Sequence, residues 1–467
     1  MSEELIKFFY LAAAVLFILG LKGLSHPRTA VRGNLLGSTG MLVAIVVTLL
    51  DRRIVSFETI VAGLVVGALV GVVLAQRVPM TGVPQVVAVF NGLGGGASAL
   101  AVGAALEEAL KGGFVEEISI QFTVSAASAG IIGGIALTGS TIAFGKLQGL
   151  MEEKPILLPG RHVLNVALAL VCLGLSAWLV VDGASSLPFW ILVGVAALLG
   201  VMLVMPIGGA DMPVVISLLN AYSGLAAAGH GWVLNNTVLI IAGSLVGSAG
   251  FILTALMCRS MNRSLANVIL AGVGADSVSE DETEDIYAGR VKTASPDEVA
   301  MLMDGARRVV IAAGYGMAAS QAQYAVRDLM KLLEPKGVEV EFAIHPVAGR
   351  MPGHMNVLLA EAGVPYEVLK EMDEINPTFR QTDVVLVIGA NDVVNPRARD
   401  TSDSSNPIAG MPILNVDEAE IVVIVKRSLG PGFAGIPNPL FAADNALMLF
   451  GDATRMVTAL TRALKET

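Results

Sequence analysis

The hydrophobic pattern divides the chain into two halves of different character. Up to residue 258, long apolar runs alternate with short polar segments. A helix needs about 20 apolar residues to cross a bilayer. Nine segments are predicted to do so: 4–22, 34–50, 56–75, 84–106, 119–144, 163–182, 187–205, 213–229 and 236–258. The first half is therefore expected to be an α-helical membrane bundle of about nine transmembrane helices.

The second half shows the alternation typical of an α/β domain. Helical patterns separate apolar runs of strand length, at 308–313, 338–344, 366–369, 384–388, 412–416 and 421–425. Ser295-Pro296-Asp297-Glu298 predicts a capped helix start, and that helix is expected to end near Asp304. A second helix is predicted from the turn after the first strand to about Leu333. Strands that alternate with helices form a doubly wound parallel sheet, so a Rossmann-like domain is expected.

An acidic segment separates the two halves. Residues 276–285 are mostly acidic and have no apolar face, which is typical of a flexible hinge. The predicted organisation is a transmembrane domain over residues 1–274, an acidic linker over 275–294 and the Rossmann-like domain over 295–467.

Composition agrees with a membrane protein and excludes other classes. Hydrophobic residues make up 54% of the 467 and charged residues only 15%, against about 25% charged in soluble proteins. The net charge of −10 argues against nucleic-acid binding. Cys172 and Cys258 both lie in apolar runs, so neither a disulfide nor a metal site is expected.

Basic residues are distributed unevenly between alternate loops. One set of loops carries most of them: Lys22, Arg28, Arg32, Arg77, Lys146, Lys154, Arg161, Arg259 and Arg263. The other set carries Arg52 and Arg53, with Lys111 among glutamates. The positive-inside rule makes the first set cytoplasmic. The N-terminus is then predicted to lie outside and the C-terminal domain in the cytoplasm.

Four polar residues within or beside the spans are candidates for a proton path, since polar groups in lipid are costly. Asn91 lies in the fourth span, Asp211 precedes the eighth, and Asn220 and Ser223 lie along it. Asp211 is the candidate titrating group, and a helix N-cap beside Pro213 is the alternative. Interhelical hydrogen bonds are the alternative for the two asparagines. The histidines near the spans are predicted to fall in loops: His26, His162 and His230.

A glycine-rich turn follows the first predicted strand. Gly314-Tyr315-Gly316 leads from an apolar run into a helical pattern that includes Ala319. Gly314 permits a tight turn, Gly316 lets a pyrophosphate approach the backbone, and Ala319 lets the helix pack closely. This context predicts a dinucleotide site, with an ordinary βα turn as the alternative.

Polar groups follow other predicted strands. Arg350, and no acidic residue, lies in the segment after the second strand. Lys426-Arg427-Ser428 follows the last predicted strand and forms a cradle suited to an extra phosphate. The sequence therefore favours NADP(H) over NAD(H). The alternative for Lys426 and Arg427 is a solvated surface pair.

Two glycine-rich segments complete this part of the chain. Gly430–Gly435 carries Phe433 and is predicted to fold over bound nucleotide as a lid. A long surface loop is the alternative. Gly451-Asp452-Ala453 begins the last helical pattern, and its alternative role is to cap that helix.

Together these motifs resemble one family. The family is that of the proton-translocating nicotinamide nucleotide transhydrogenases. Their NADP(H)-binding domain is similar to this chain at Gly314–Ala318, Ile344–Arg350, Gly389–Asn395 and Lys426–Ser428. Their membrane domain is similar to it at Gly208–Pro213 and Asn220–Gly224. The chain resembles the beta subunit of the bacterial enzymes. This implies hydride transfer between NADH and NADP⁺ coupled to inward proton movement, without flavin or metal. It also implies an alpha subunit carrying NAD(H), and two alpha and two beta subunits in the inner (plasma) membrane.

The resemblance also implies roles for individual residues. It assigns NADP(H) contacts to Gly314, Tyr315, Gly316, Met317, Ala318, Val347, Ala348, Gly349, Arg350, Gly389, Ala390, Asn391, Asp392, Val393, Val394, Asn395, Lys426, Arg427, Ser428, Phe433, Gly451, Asp452 and Ala453. Asp392 is the candidate titrating group beside the nicotinamide, and a helix cap is its alternative. The proton-path positions map to Asn91, Asp211 and Asn220, with Ser223 beside them.

Two positions depart from the family pattern. Many relatives have an ionisable histidine at the position of Asn91. Because the amide of asparagine cannot carry a proton, the relay in this chain must use water, Asp211 or a residue of the alpha subunit. Relatives often have tyrosine at the position of Phe433. Two other functions remain alternatives: a transporter or sensor regulated by NADP(H), and an NADP dehydrogenase domain tethered to lipid.

Overall fold

The computed structural model describes residues 3–24, 27–50, 57–112, 119–152, 155–181, 185–270, 287, 289–351, 353–402 and 406–466. The chain forms two compact units. The first consists of Met1–Ile207 and Val215–Thr254, and the second of Gly208–Val214 and Ala255–Thr467. The predicted linker falls largely on residues 271–286 and 288, which lie outside the described residues, so its boundaries stay a prediction.

Nine of the described helices are long and apolar enough to cross a membrane, as the sequence predicts. They are α1 (Glu3–Leu24), α2 (Pro27–Leu49), α3 (Glu58–Arg77), α4 (Val83–Lys111), α5 (Ile120–Leu147), α6 (Arg161–Val181), α7 (Leu187–Val204), α8 (Met212–Val233) and α9 (Thr237–Ser260). A 3₁₀ turn, Gly209–Asp211, precedes α8.

Small residues bring three helices of the first unit into close contact. A Cβ on Gly95 of α4 would lie 2.6 Å from the Ala136 Cβ of α5. A Cβ on Gly130 of α5 would lie 2.9 Å from the ring of Phe189 in α7. Close approach of helix backbones is the usual way in which membrane helices gain packing energy. The glycines of these spans therefore hold α4, α5 and α7 together.

The second unit contains a six-stranded parallel sheet. Its strands are β1 (Arg308–Ala313), β2 (Glu339–Ile344), β3 (Leu369–Glu371), β4 (Val384–Ile388), β5 (Ile421–Lys426) and β6 (Ala446–Phe450). Their order is β3-β2-β1-β4-β5-β6, and every neighbouring pair is parallel. This is the order of a doubly wound dinucleotide-binding fold, so the predicted fold class is confirmed.

The second unit also contains shorter helices. They are α10 (Leu265–Leu270), α11 (Pro296–Asp304), α12 (Tyr315–Ala319), α13 (Gln323–Leu333), α14 (His354–Glu361), α15 (Met372–Ile375) and α16 (Ala453–Glu466). The start predicted for α11 is confirmed: Ser295 accepts from the Glu298 N–H, and the Glu298 carboxylate accepts from the Ser295 N–H. This reciprocal capping box satisfies two N–H groups that the helix leaves unpaired.

The prediction of one helix from the glycine turn to Leu333 is wrong. The helix breaks after α12, because Gln321 adopts a left-handed conformation with φ of 53°. A left-handed residue cannot continue a right-handed helix. The Ala322 N–H still donates to the Met317 carbonyl over 2.9 Å, so the break is a hydrogen-bonded turn.

The strand predicted at 412–416 is also wrong. The Leu414 N–H donates to the Val393 carbonyl, and the Asn415 N–H donates to the Asn376 side chain. Ile413, Leu414 and Val416 are buried, but the segment pairs with no strand in the described part of the chain, and a 3₁₀ turn, Val416–Glu418, ends it. The sixth strand is instead β6, which no prediction covered. The third strand begins at Leu369, later than predicted, because a 3₁₀ turn occupies Tyr366–Val368 after Pro365.

Candidate functional site

Two glycine-containing loops cross at the point where the strand order reverses. The Gly314 N–H donates to the Ile388 carbonyl, and the Gly316 N–H to the Gly389 carbonyl, each over 2.9 Å. A Cβ on Gly316 would lie 2.6 Å from the Gly389 Cα, and Gly389 has a positive φ of 64°. The loops after β1 and β4 therefore meet backbone against backbone, and residues with side chains cannot replace these glycines without displacement.

The loop after β2 is held by two buried histidines. Nδ1 of His345 accepts from the Val347 N–H over 3.2 Å, and Nδ1 of His354 accepts from the Arg350 N–H over 3.0 Å. Nε2 of His345 lies 2.8 Å from the Pro412 carbonyl oxygen. Each imidazole is 1% exposed, and burial lowers the pKa of each to about 4. Both rings are therefore neutral at physiological pH.

Aromatic and cationic side chains from two loops and from the starts of two helices, α12 and α14, meet at this sheet edge. The Arg350 guanidinium lies 4.4 Å from the centre of the Tyr315 ring. The Tyr315 ring centre lies 6.2 Å from that of Phe433 and 6.2 Å from that of His354. A guanidinium over an aromatic face is an attractive cation–π arrangement. The structure thus brings together Arg350, Tyr315 and Phe433, which sequence analysis placed in separate motifs.

Asp392 holds the glycine-rich loop that follows β5. Its Oδ2 accepts from the Ala434 N–H over 3.0 Å, and its carboxylate also accepts from the Phe433 N–H. Its Oδ1 has no hydrogen-bond partner in the described part of the chain. Burial raises the pKa of this carboxyl, against the opposing effects of the two N–H groups and Lys426. Asp392 begins a 3₁₀ turn, Asp392–Val394, but its carboxylate binds the loop and does not cap that turn.

Lys426 and Arg427 have different environments. Lys426 Nζ donates to the Gly430 carbonyl and lies 4.9 Å from the centre of the Phe441 ring. Burial lowers the pKa of Lys426 to about 8, while the charge of Asp392 opposes this shift. Arg427 and Ser428 are exposed. The alternative of a solvated surface pair therefore describes Arg427 but not Lys426.

Several predicted contact residues are buried at this sheet edge. Five of them have side chains at most 5% exposed: Met317, Ala318, Ala348, Ala390 and Val394. The Asn395 amide, fully buried, donates to the Pro437 carbonyl and accepts from the Arg397 N–H. Val347, Asn391 and Val393 are partly exposed. The buried residues shape the loops, whereas Arg427 is exposed and Arg350 is partly exposed.

The last motif caps a helix. Oδ1 of Asp452 accepts from the Arg455 N–H over 3.3 Å, just before Ala453 begins α16. The Gly451 N–H donates to the Lys426 carbonyl over 3.0 Å, which ties the end of β6 to the end of β5. The cap that the sequence offered as an alternative role is present, and it lies at the same sheet edge as the glycine turn.

Two residues of this edge were not predicted from the sequence. Asn438 is fully buried, and its Nδ2 donates to the Asn391 backbone carbonyl over 3.1 Å. Its backbone N–H donates to the Tyr287 hydroxyl over 2.8 Å. His354 is the second missed residue. No sequence signal marked Asn438, because its partners are 47 and 151 residues away.

Polar candidates of the first unit lie between α4 and α8. Asn91 is buried, and its Nδ2 donates to the Ile216 carbonyl over 3.3 Å. Ser223 donates to the Asn220 carbonyl over 2.9 Å. A Cβ on Gly94 would lie 3.8 Å from the Ser223 Cβ. The interhelical bond expected as the alternative role of Asn91 is therefore present.

The prediction that histidines near the spans fall in loops is wrong for two of them. His162 is the second residue of α6, and His230 lies in the last turn of α8. Both helices extend further than the apolar runs that predicted them. His26 lies outside the described residues.

Asp211 belongs to the second unit, where it pairs with Arg263. Nη1 of Arg263 lies 2.8 Å from Oδ1 and 2.6 Å from Oδ2 of Asp211. In the described part of the chain the carboxylate accepts only from Arg263, so it does not cap α8. The neighbouring Asn262 donates to the Ala409 carbonyl over 3.0 Å. Burial raises the pKa of Asp211, and the charge of Arg263 opposes that shift.

Comparison with known proteins gives one consistent result. The family model described as NAD(P) transhydrogenase beta subunit matches residues 6–463. Two curated relatives, both named NAD(P) transhydrogenase subunit beta, come from Rhodospirillum rubrum, one assigned to the species and one to a strain of it. Each is 48% identical over 466 residues, covering 99% of this chain and 100% of the relative. The chain is thus an enzyme subunit with several membrane-spanning helices, and it belongs to the NAD(P) transhydrogenase beta subunit family.

Proposed function

We propose that this chain binds NADP(H) at the carboxyl edge of its sheet and, with an NAD(H)-binding alpha subunit, transfers hydride between NADH and NADP⁺. The observation that carries this proposal is the convergence of the Gly314 and Gly389 loops with Arg350 and Lys426 at one sheet edge. Ligands of doubly wound sheets bind at the carboxyl ends of the strands, where the order reverses. The family to which the chain belongs supports the same reaction.

The charges at this edge favour NADP(H) over NAD(H). The first residue after β2 is the neutral His345, where an NAD(H) site usually offers an acid to the ribose hydroxyls. Arg427 and Ser428 are exposed at the end of β5, and Gly451 ties the end of β6 to this strand. A guanidinium and a hydroxyl are suitable donors for a phosphate dianion. We assign the recognition of the extra phosphate to this pair, with Lys426 supporting the adjoining loop.

The same geometry suggests how the chain contributes to hydride transfer. The bound nucleotides supply the hydride chemistry, and the protein supplies position and exclusion of water. The loop Gly430–Gly435 is the lid, and Asp392 holds it through the N–H groups of Phe433 and Ala434. A change in the charge of Asp392 would alter the strength of these bonds. We therefore assign to Asp392 the role of holding the lid closed, with a strength that depends on the charge of its carboxyl group.

We further propose that the first unit provides a proton path along α4 and α8, past Asn91, Asn220 and Ser223. The contact of Asn91 with the Ile216 carbonyl places the amide between these helices. Because an amide cannot carry a proton, protons would move through water, with Asp211 or a group of the alpha subunit as the titrating site. Protonation of Asp211 would weaken its pair with Arg263 and change the hold of the lid on NADP(H).

The proposed assembly contains two alpha and two beta subunits in the bacterial inner membrane. The relatives are named as beta subunits, which supports a partner chain. The excess of lysine and arginine in alternate loops supports an orientation with the N-terminus outside and the nucleotide site in the cytoplasm. Inward proton movement would then deliver protons to the side that holds the nucleotides.

The cofactor assignment can be tested on the full-length chain in lipid nanodiscs. Calorimetry would measure binding of NADP⁺ and NAD⁺ to the wild type and to Lys426→Ala/Arg427→Ala. We expect NADP⁺ to bind far more tightly than NAD⁺. The double substitution should weaken NADP⁺ binding by at least about 100-fold, since it removes the Arg427 contact proposed for the phosphate and the charged bond from Lys426 to the Gly430 carbonyl.

The matched control is Arg462→Ala/Lys465→Ala, which removes two cations from the exposed end of α16 and should leave both affinities unchanged. Equal binding of the two nucleotides by the wild type would contradict the NADP(H) assignment. Tight NADP⁺ binding without hydride transfer in the presence of an alpha subunit would favour a sensor or transporter instead.

A further inference from the structure

The imidazole of His354 lies against the loop that carries Arg350. His354 is the first residue of α14 and is 1% exposed. Its Nδ1 accepts from the Arg350 N–H over 3.0 Å. An accepting Nδ1 places the single proton of a neutral ring on Nε2. Nε2 has no hydrogen-bond partner among the described residues, so Nδ1 makes the one hydrogen bond of this ring.

The backbone before Arg350 is shaped to fit this ring. Gly349 has a positive φ of 113°, and a Cβ there would lie 2.6 Å from both Cβ and Nδ1 of His354. A side chain at position 349 would therefore be strained by its backbone and would also collide with the imidazole. Because Gly349 has no side chain, the loop can lie close to His354, and this short distance permits the bond from the Arg350 N–H.

The side chain of Arg350 then continues to the aromatic group above the sheet edge. Its guanidinium lies 4.4 Å from the centre of the Tyr315 ring. The His354 and Tyr315 ring centres are 6.2 Å apart. Arg350 is thus fixed at two points, by His354 through its backbone and by Tyr315 through its guanidinium.

We propose that His354 is a positioning residue for NADP(H) binding, which holds the Arg350 backbone through Nδ1 so that the guanidinium stays in place at the nucleotide site. This inference rests on the proposed function, because it assigns Arg350 to the bound nucleotide. Burial and the charge of Arg350 lower the pKa of His354 to about 4. The ring therefore keeps an unprotonated Nδ1 throughout the neutral range.

Three substitutions separate this role from simple packing. His354→Asn places an amide oxygen near the position of Nδ1 and keeps an acceptor for the Arg350 N–H. His354→Gln extends its amide towards the position of Nε2, and His354→Leu removes the polar atoms while keeping an apolar side chain. NADP⁺ binding would be measured by calorimetry on the full-length chain in nanodiscs, with thermal unfolding of each variant alongside.

We expect His354→Leu and His354→Gln to bind NADP⁺ about tenfold more weakly, as for loss of one buried hydrogen bond. His354→Asn should stay within about threefold of the wild type. In an Arg350→Ala background, His354→Leu should cause no further loss, because the effect passes through Arg350. If His354→Leu does not fold, the comparison of His354→Asn with His354→Gln still tests the positioning role.

Equal affinity in all three variants, or an equal loss in all three, would overturn the positioning role. A full tenfold loss from His354→Leu in the Arg350→Ala background would also overturn it. Failure of the wild-type chain to bind NADP⁺ is a separate result, which would overturn the proposed function itself.

Discussion

At the scale of single residues, a buried lysine stabilises one end of a helix in the membrane bundle. Lys146, near the end of α5, is fully buried. Its Nζ donates to the carbonyls of Met205 and Ile207 over 2.6 and 2.7 Å. Carbonyls at the end of a helix have no intrahelical partner, and a cation there also favours the helix dipole. Lys146 therefore stabilises the end of α7.

We predict that Lys146→Met destabilises the full-length chain. Methionine retains most of the apolar stem, but both carbonyls lose their charged donor, which costs about 2–5 kcal/mol. Thermal unfolding in nanodiscs measures the loss. Lys111→Met is the matched control, since the Lys111 side chain is 80% exposed and its loss should change stability by less than about 0.5 kcal/mol. Similar unfolding temperatures for the two variants would contradict the prediction.

The role of a residue could be predicted from the sequence only where its neighbours along the chain indicated that role. Gly314 and Gly316 stand between a strand and a helix, so their turn was visible. The need for glycine at 316 was not, because it arises from Gly389 on another strand. Lys146 appeared as one more basic loop residue, since its partners lie 59 and 61 residues away. Contacts between distant segments leave no local pattern in a sequence.

At the scale of elements, apolar periodicity predicted helices better than strands. Each long membrane helix matches an apolar run, because its hydrogen bonds are internal and lipid selects its composition. A short apolar run, by contrast, indicates burial without specifying a partner. Leu414 is fully buried, yet it bonds to Val393 in an irregular segment. β6 was missed although Val422–Lys426 pairs with Ala446–Phe450 along its whole length.

The loop Gly430–Gly435 offers a prediction at this scale. A Cβ on Gly432 would collide with the Asp392 carboxylate, whereas a Cβ on Gly430 would lie 3.4 Å from the nearest atom, Ser428 Oγ. We expect Gly432→Ala to push the loop away from Asp392 and to speed NADP⁺ release about tenfold, as for loss of one to two hydrogen bonds. Stopped-flow displacement of NADP⁺ from the full-length chain measures this rate.

Gly430→Ala is the control, because it adds the same methyl group to the same loop without meeting Asp392. Its release rate should stay close to that of the wild type. If both alanine variants release NADP⁺ at the wild-type rate, Asp392 does not hold a closed lid.

At the scale of the whole molecule, Asp211 and Arg263 connect distant parts of the second unit. Asp211 precedes α8 and Arg263 follows α9, yet the two form an ion pair. Arg263 also approaches the Pro407 carbonyl at 3.5 Å, and Asn262 donates to the Ala409 carbonyl. Within the second unit, Asn262 and Arg263 therefore contact the segment that leads to Pro412, whose carbonyl oxygen lies 2.8 Å from Nε2 of His345. We expect a change in the pair to reach the loop after β2 through these contacts.

We predict that Asp211→Asn uncouples proton movement from NADP(H) release. The substitution removes the negative charge opposite Arg263, whose side chain is 31% exposed, and leaves a group that cannot take up a proton. In liposomes that contain this chain and its alpha subunit, dye quenching should show proton pumping reduced at least about tenfold, as expected when a charged pair is broken. NADP⁺ release, followed in the same preparation, should change in rate.

Arg259→Gln provides the comparison, since it removes an exposed cation from the end of α9, four residues before Arg263, without changing Asp211. This variant should pump protons and release NADP⁺ like the wild type. Unchanged pumping and unchanged release in Asp211→Asn would show that this carboxylate neither takes up protons nor couples proton movement to NADP⁺ release. Lost pumping with unchanged release would limit Asp211 to the proton path, and the contacts from Arg263 to Pro407 would then carry no signal to the nucleotide site.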